Sequence, residues 1–462
     1  MSTALKAREG YLAEFDRARP ALGAADRGWL DEQRGLAIAR FADLGFPAAS
    51  NEDWKYTGVG PIVKAPFERV ARDHVSFDAA RVEAAVERAA GTGDATVLVF
   101  VDGHFVADLS RLDAVGEQAG GARLSSLLAA IENDHESLRG HLGKYLDSSA
   151  HGFAALNAAF VEDGAFVHIP RGMHHDRPIH LVFVSGPGGQ GGESARRTMS
   201  HPRNVIVAEA GSTAQVVEHY VGGESGEYFT NAATEIYVGE NAKVAHCKVQ
   251  AESAGAFHVH RVQAYQERNA SFASHAVALG AALSRTEIHT VLAAEGAECG
   301  LDGLYVLGGR QHADHHTTVD HAAPHTSSRE LYKGIVDDRA RGVFTGKVLV
   351  RRDAQQIEAE QTNKNLLLAD GASVETRPQL EIYADDVKCS HGAAIGQLDE
   401  KALFYMRQRG LDERQARSLL TYGFGSEVLA TLGDDELRAR LEQAVLSRIG
   451  AAVSGPEGEG RS

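Results

Sequence analysis

The chain reads as mainly β: a parallel β-helix core flanked by an N-terminal α(+β) domain and a C-terminal helical domain. Three observations carry that reading. From about residue 146 to 396, short β-branched runs alternate with small turns, and no segment holds helical periodicity for long. Within that stretch a turn residue, Gly or Asn, recurs at 211, 241, 269 and 296, giving spacings of 30, 28 and 27 residues. That is long for a hairpin meander and right for one coil of a solenoid. Helical patterning lies on both sides. A double-sheet jelly roll of the cupin kind is the competing architecture, and the single long β segment favours the solenoid.

In chain order, residues 1–145 are mostly helical. Tyr11, Leu12 and Phe15 sit at helical spacing, and Trp29, Leu30, Leu36, Ala37, Phe41 and Leu44 continue the pattern until Gly45-Phe-Pro47 stops it. Residues 96–109, TVLVFVDGHFVADL, predict a β-hairpin turned at Asp102-Gly103, a pair suited to tight hairpins. The β-helix is expected over 146–396, with the turn motif in Asp163-Gly-Ala, Glu240-Asn-Ala, Arg268-Asn-Ala, Glu295-Gly-Ala and Asp370-Gly-Ala and in looser form at Glu209-Ala-Gly. Helices return at 397–450: Asp399 caps one that Gly410 ends, Asp412 caps the next with Leu419, Leu420 and Tyr422 on its apolar side, and Gly433-Asp-Asp435 opens a third. Its stripe of Leu437, Leu441, Val445 and Ile449 fits either docking of a partner or packing on the chain's own β domain. Residues 451–462, AAVSGPEGEGRS, have the composition of a disordered tail.

Composition narrows the function. Its 462 residues suffice for about three domains, and 47 basic against 63 acidic side chains give a net charge of −16. That argues against a general nucleic-acid or anionic-membrane binder, so partners are expected to be proteins or small ions. Three cysteines, Cys247, Cys299 and Cys389, lie far apart with no C-x-x-C, which supports neither a disulfide framework nor an autonomous four-thiolate cluster site. With no signal-peptide core at the start and no run of about 18 apolar residues, a soluble cytoplasmic chain is expected.

The sharpest chemical feature is Cys389 and His391, two residues apart near the end of the β-rich stretch. On a strand, positions i and i+2 share a face, so thiol and imidazole form one soft pair able to hold sulfur or a transition metal, while Ser390 points away. An isolated cysteine is more often a small buried hydrophobe. Here Asp385 and Asp386 precede the pair and Gly392 follows it, which suits a solvent-reachable strand end. A second concentration is histidine: 17 of 22 fall between His151 and His325, densest from His312 to His325. Alternation puts His312, Asp314 and His316 on one face and His315 on the other, so a hydrogen-bonded ladder outweighs a metal site there.

Two phosphate-loop decoys fail on mechanism. Gly186-Pro-Gly-Gly-Gln-Gly191 matches G-x-G-x-x-G but is followed by no helical pattern, and Gly342-Val-Phe-Thr-Gly-Lys-Val348 is one residue short of a P-loop and ends in Val. No nucleotide is expected to bind this chain. Neither a G-x-S-x-G elbow nor an H-E-x-x-H motif is present, so a serine esterase or zincin is not indicated.

Four segments in order, Asn51-Glu-Asp-Trp-Lys-Tyr-Thr57, Ser328-Arg-Glu-Leu-Tyr-Lys-Gly334, Gln361-Thr-Asn-Lys-Asn-Leu-Leu-Leu368 and ADDVKCSHGAAIGQLDEKALFYMRQRG from Ala384, resemble the SufD subunits of the SUF iron–sulfur cluster assembly machinery. The resemblance runs from about residue 45 to 430. It implies a non-catalytic scaffold with a right-handed parallel β-helix, paired with a SufB-type subunit through the β-helix and docking the SufC-type ABC ATPase through the C-terminal helices. It also implies a transient nascent iron–sulfur cluster at the SufB junction, shared with the partner, with His391 and Cys389 as the residues that hold it and His391 the more direct ligand; a homodimer through the same β surface is one state open to the isolated subunit. One departure is visible: Ala393-Ala394 stands where the family commonly has Ala-Thr, removing a hydroxyl but no proposed ligand. The rivals are a SufB-type paralogue, disfavoured by the WKYT element and the scarcity of cysteine, and a free-standing metal-dependent β-helix or cupin-like enzyme using His312, His315, His316 and His321.

Overall fold

In the computed structural model, residues 3–25, 28–93, 95–112, 121–133, 135–186, 197–223 and 226–453 are described. From Ala165 onward, strands alternate between two sheets, except that Thr198–Ser200 and Arg203–Ala208 both lie in the first. One runs, in spatial order, Ser373–Ile382, Arg341–Val350, His312–His321, Leu283–Leu292, Phe257–Gln266, Tyr228–Val238, Arg203–Ala208 and Ala165–Ile169. The other runs Val387–Gly396, Ile357–Leu367, Ser327–Val336, Glu298–Leu307, Ser271–Ala278, Lys243–Ala251, Thr213–Gly222 and Ile179–Ser185. Neighbours within each sheet are parallel, and the result is a β-solenoid of about 7 turns, which bears out the fold class read from the sequence.

The turn residues explain the repeat. Gly211, Asn241, Asn269 and Gly296 have φ of 71, 56, 53 and 76°, the left-handed region that glycine and asparagine tolerate best. They stack as a ladder: Gly211 N–H donates to Glu240 O at 2.8 Å, Asn241 N–H to Arg268 O at 2.9 Å, and Asn269 N–H to Glu295 O at 3.0 Å. A side chain on Gly296 would collide with the Asn269 amide, its Cβ falling 2.2 Å from Oδ1.

The early strands differ from expectation. Thr96–Val101 and His104–Phe105 do form an antiparallel hairpin over the positive-φ pair Asp102-Gly103. However, Thr96–Val101 also pairs in parallel with Ile179–Ser185, and all six of its residues are buried. A run of consecutive apolar residues buried on both faces belongs to a sheet interior, so the hairpin extends the solenoid sheet instead of standing in a separate domain. Arg123–Ser126 likewise joins the other sheet, antiparallel to Ala165–Ile169.

The N-terminal helices Thr3–Ala25 and Asp31–Leu44 lie on the outer face of the first sheet, where Phe15, Phe41 and Trp54 share a core with Phe229, Phe257 and Leu283. Leu36 and Leu44 sit on the solvent side, 67% and 45% exposed, although the apolar spacing grouped them with Phe41. The Arg285 guanidinium lies 3.9 Å from the Trp54 ring centroid, and Thr57 accepts from His312 at 2.9 Å while donating to Asp314. The WKYT segment thus fastens the N-terminal region to the solenoid.

On the opposite face, helices Glu413–Leu429 and Asp435–Val453 cover the outer side of the second sheet. Val428, Leu429, Leu432, Leu437, Leu441, Val445 and Ile449 pack on Val277, Leu304, Val306 and Ile335. Each such buried side chain contributes about 1.5–3 kcal/mol, enough in sum to hold the helices in place. Of the two readings of the Leu437 stripe, packing on the chain's own sheet is therefore realised. The apolar side of Glu413–Leu429 is set by Ala416, Gly425 and Val428, whereas Leu419 is 50% exposed. The last helix continues to Val453, so residues 451–453 are helical, while 454–462 of the expected tail lie outside the described residues.

Candidate functional site

Val387–Gly396 is the last strand of its sheet, paired on one side with Ile357–Leu367 and on the other with no strand among the described residues. The chain enters it through a turn in which Gln356 N–H donates to Asp386 O at 2.6 Å and Asp386 N–H to the Gln355 side chain at 2.9 Å. Because the strand is regular, its side chains alternate, and Val387, Cys389, His391, Ala393 and Ile395 all face the space between the two sheets. Among the described residues no further coil covers that space. The first sheet ends in the same way at Ser373–Ile382.

Cys389 and His391 share this inner face and have different surroundings. Cys389 packs with Leu380, Ala384 and Val387 against Val348 and Val350, and this partial burial pushes its thiol pKa up. A thiol so placed is held protonated until a cation or metal favours the thiolate. His391, one step further along, is exposed. Beneath it in the ladder lies Gln361, which is 0% exposed. The arrangement offers one accessible imidazole nitrogen donor and a recessed sulfur at a sheet end open to a second polypeptide.

The other cysteines are out of reach. Cys247 faces the C-terminal helices and burial raises its thiol to about 12, while Cys299 lies inside the solenoid with its thiol raised still further. The dense histidine segment splits by alternation: His312, Asp314 and His316 join Thr57 and Arg285 on the outer face, and His315 and His321 point inward. His321 is held by Thr326 at 2.7 Å and Ser328 at 3.0 Å. Among the described residues no group of three or more His, Cys, Asp or Glu side chains is disposed to hold a metal ion. The P-loop-like Gly342–Val348 lies in the strand Arg341–Val350, whose extended backbone cannot cradle a phosphate. Of Gly186–Gly191, only Gly186 is among the described residues.

The chain is thus a β-solenoid braced by helices on both outer faces, whose final coil carries a thiol and an imidazole on its inner face. Comparison with known proteins gives the family. Residues 190–424 match the model for the SufBD core domain of SUF system FeS cluster assembly, and residues 5–181 match the SufBD protein N-terminal region. An iron–sulfur cluster assembly SufBD family protein of Synechocystis is 33% identical over 453 residues, spanning 95% of this chain and 96% of that one. The iron–sulfur cluster assembly protein SufD of Escherichia coli is 31% identical over 411 residues, 89% of this chain and 90% of its own. The chain belongs to the SufBD family and is a SufD-like iron–sulfur cluster assembly protein. The N-terminal match begins well before residue 45, where the sequence motifs first signal the resemblance.

Proposed function

We propose that this chain is a non-enzymatic scaffold subunit that presents half of a coordination sphere for a nascent iron–sulfur cluster, with a SufB-type partner supplying the rest across the open solenoid end. The observation that supports this reading is His391, exposed on the inner face of an edge strand that no described residue pairs with on its free side. Neutral imidazole binds iron, and a neighbouring thiolate binds iron or sulfur, yet two ligands cannot complete a cluster. The raised Cys389 thiol supports giving His391 the direct role and Cys389 an assisting one. Strand addition along ten residues of free backbone would join the partners, and in isolation a second copy would occupy the same edge. A SufC-type ATPase would dock on the C-terminal helices, where Phe404, Tyr405, Leu419 and Leu446 remain exposed although the Leu437 stripe is consumed internally.

The test is co-expression with SufB- and SufC-type partners followed by cluster reconstitution. The wild-type chain is expected to co-purify with both and support a cluster chromophore. His391→Ala should co-purify equally and lose the cluster; an undiminished cluster yield from that variant would refute the assignment.

A further inference from the structure

The inner row that ends at His391 has an unusual composition. Reading inward through the ladder, the Cα partner of His391 is Gln361, that of Gln361 is Glu330, and that of Glu330 is Leu301. Three polar residues thus occupy one register position in three successive coils, with side chains facing the same way and backbones roughly 4.8 Å apart. Gln361 and Glu330 are 0% and 1% exposed. Buried polar atoms are normally paired, because an unpaired one forfeits its hydrogen bonds to water with no return.

Only the far end of this row is anchored. Thr317 donates to Glu330 Oε2 at 2.6 Å. The Gln361 amide comes near enough to Glu330 to favour its carboxylate, yet neither Gln361 Nε2 nor Oε1 has a hydrogen-bond partner, and Glu330 Oε1 has none either. Space for that amide is made by Gly346 across the solenoid, where a Cβ would fall 2.2 Å from Gln361 Nε2. The backbone has therefore left room for a glutamine side chain near a carboxyl, with amide nitrogen and oxygen both unpartnered, directly below an exposed imidazole.

The geometry points to Gln361 as the positioning residue of His391: its Oε1 accepts from one imidazole N–H and its amide donates to Glu330, which Thr317 holds in turn. The other ring nitrogen would then be fixed as the lone-pair donor that faces outward. Partners of this kind orient metal-binding histidines and select their tautomer. The inference rests on the reading of His391 as the ligand, and its test is separable because it needs no cluster.

The experiment uses the full chain with ring-15N histidine, above the pH at which imidazole is charged. Long-range 1H–15N correlation reads which nitrogen carries the proton, and His391→Ala assigns the signal. Wild type is expected to show one tautomer at His391. Gln361→Met, nearly isosteric but without polar atoms, should relax it to the mixture of a free side chain, and Gln361→Glu, which keeps an acceptor oxygen, should restore the single form. The same tautomer ratio in wild type and Gln361→Met, or a loss shared by Met and Glu, would overturn the proposal. In the assembled complex, Gln361→Met should lower cluster yield by about 10-fold or more. If His391→Ala leaves the cluster intact while the tautomer result holds, the functional reading fails and the contact stands; the opposite pattern removes the contact alone.

Discussion

One inner row of the second sheet, followed from end to end, passes through Phe100, Phe183, Tyr220, Gln250, Ala278, Tyr305, Gly334, Asn365 and Ile395. Its first member is 0% exposed and its last is 48% exposed. At the first end, Phe100 stacks on Phe183 at 4.7 Å between centroids and Phe183 on Tyr220 at 4.9 Å, with Phe105 folding over Phe100 at 5.6 Å. At the last end the same face meets solvent. Solenoids need terminal caps because each repeat is stabilised by its neighbours. This one is closed at its N-terminal end by antiparallel strands and left open at the other, so the open coil is held from one side only. Protection there comes from charge: Lys347 pairs with Glu381 at 2.7 Å and Arg377 with Glu52 at 2.6 Å. Charged side chains at an edge discourage indiscriminate strand pairing while leaving a specific partner able to add.

The largest test of this contrast is at the closed end. Phe100→Ala removes a fully buried ring from a stack and is expected to destabilise the isolated chain by about 3–5 kcal/mol in denaturant titration. A loss below about 1 kcal/mol would mean that the closed end is no better packed than the open one.

A second test is pH dependence near the open end. Burial raises the Glu330 carboxyl from 4.5 to about 7, against the hydrogen bond from Thr317 and the nearby Gln361 amide and with Asp302 adding to the rise. The folded state therefore holds this proton more tightly than the unfolded chain. The associated stability is fully present below about pH 4.5 and is lost as pH rises to about 7, at about 1.4 kcal/mol per unit. Glu330→Gln should flatten that part of the wild-type stability curve; identical slopes in the two proteins would show that Glu330 titrates normally.

The cysteines give a smaller, kinetic contrast. In the folded chain a thiol-alkylating reagent should modify Cys389 first, slowly at neutral pH because its thiol is raised, and faster as pH increases. Cys247 and Cys299, both buried, should react only on unfolding. Mass mapping of the labelled peptides decides it, and early labelling of Cys299 would mean that the interior opens.

What the sequence reveals of this contrast follows from the range of each signal. The turn ladder was legible because Asn241, Asn269, Gly211 and Gly296 must adopt positive φ, a local demand on residue type. The shared face of Cys389 and His391 was legible because strand alternation has a period of two. The row His391, Gln361, Glu330 was not, since it depends on register between coils about 30 residues apart, and nothing local states which residues become neighbours. The same limit hid the parallel pairing of Thr96–Val101 with Ile179–Ser185 behind an ordinary hairpin signal. It also left the Leu437 stripe plain as an apolar surface while withholding what covers it.

Ile395 supplies the smallest stability effect and the sharpest form of the comparison. It occupies the same row as Phe100, so a uniformly packed solenoid would penalise truncation at either position. With half of its surface already in water and no strand beyond it among the described residues, Ile395→Ala has little burial to lose and is expected to shift the stability of the monomeric chain by no more than about 0.5 kcal/mol. The missing burial would be completed by a partner. Ile395→Asp should therefore leave the melting temperature of the chain nearly unchanged while weakening association with a SufB-type subunit by at least tenfold, because a carboxylate would be desolvated in the joint. Calorimetry on the chain alone and a binding titration with the partner measure the two halves. Unaltered affinity would place the junction somewhere other than the open end of the solenoid.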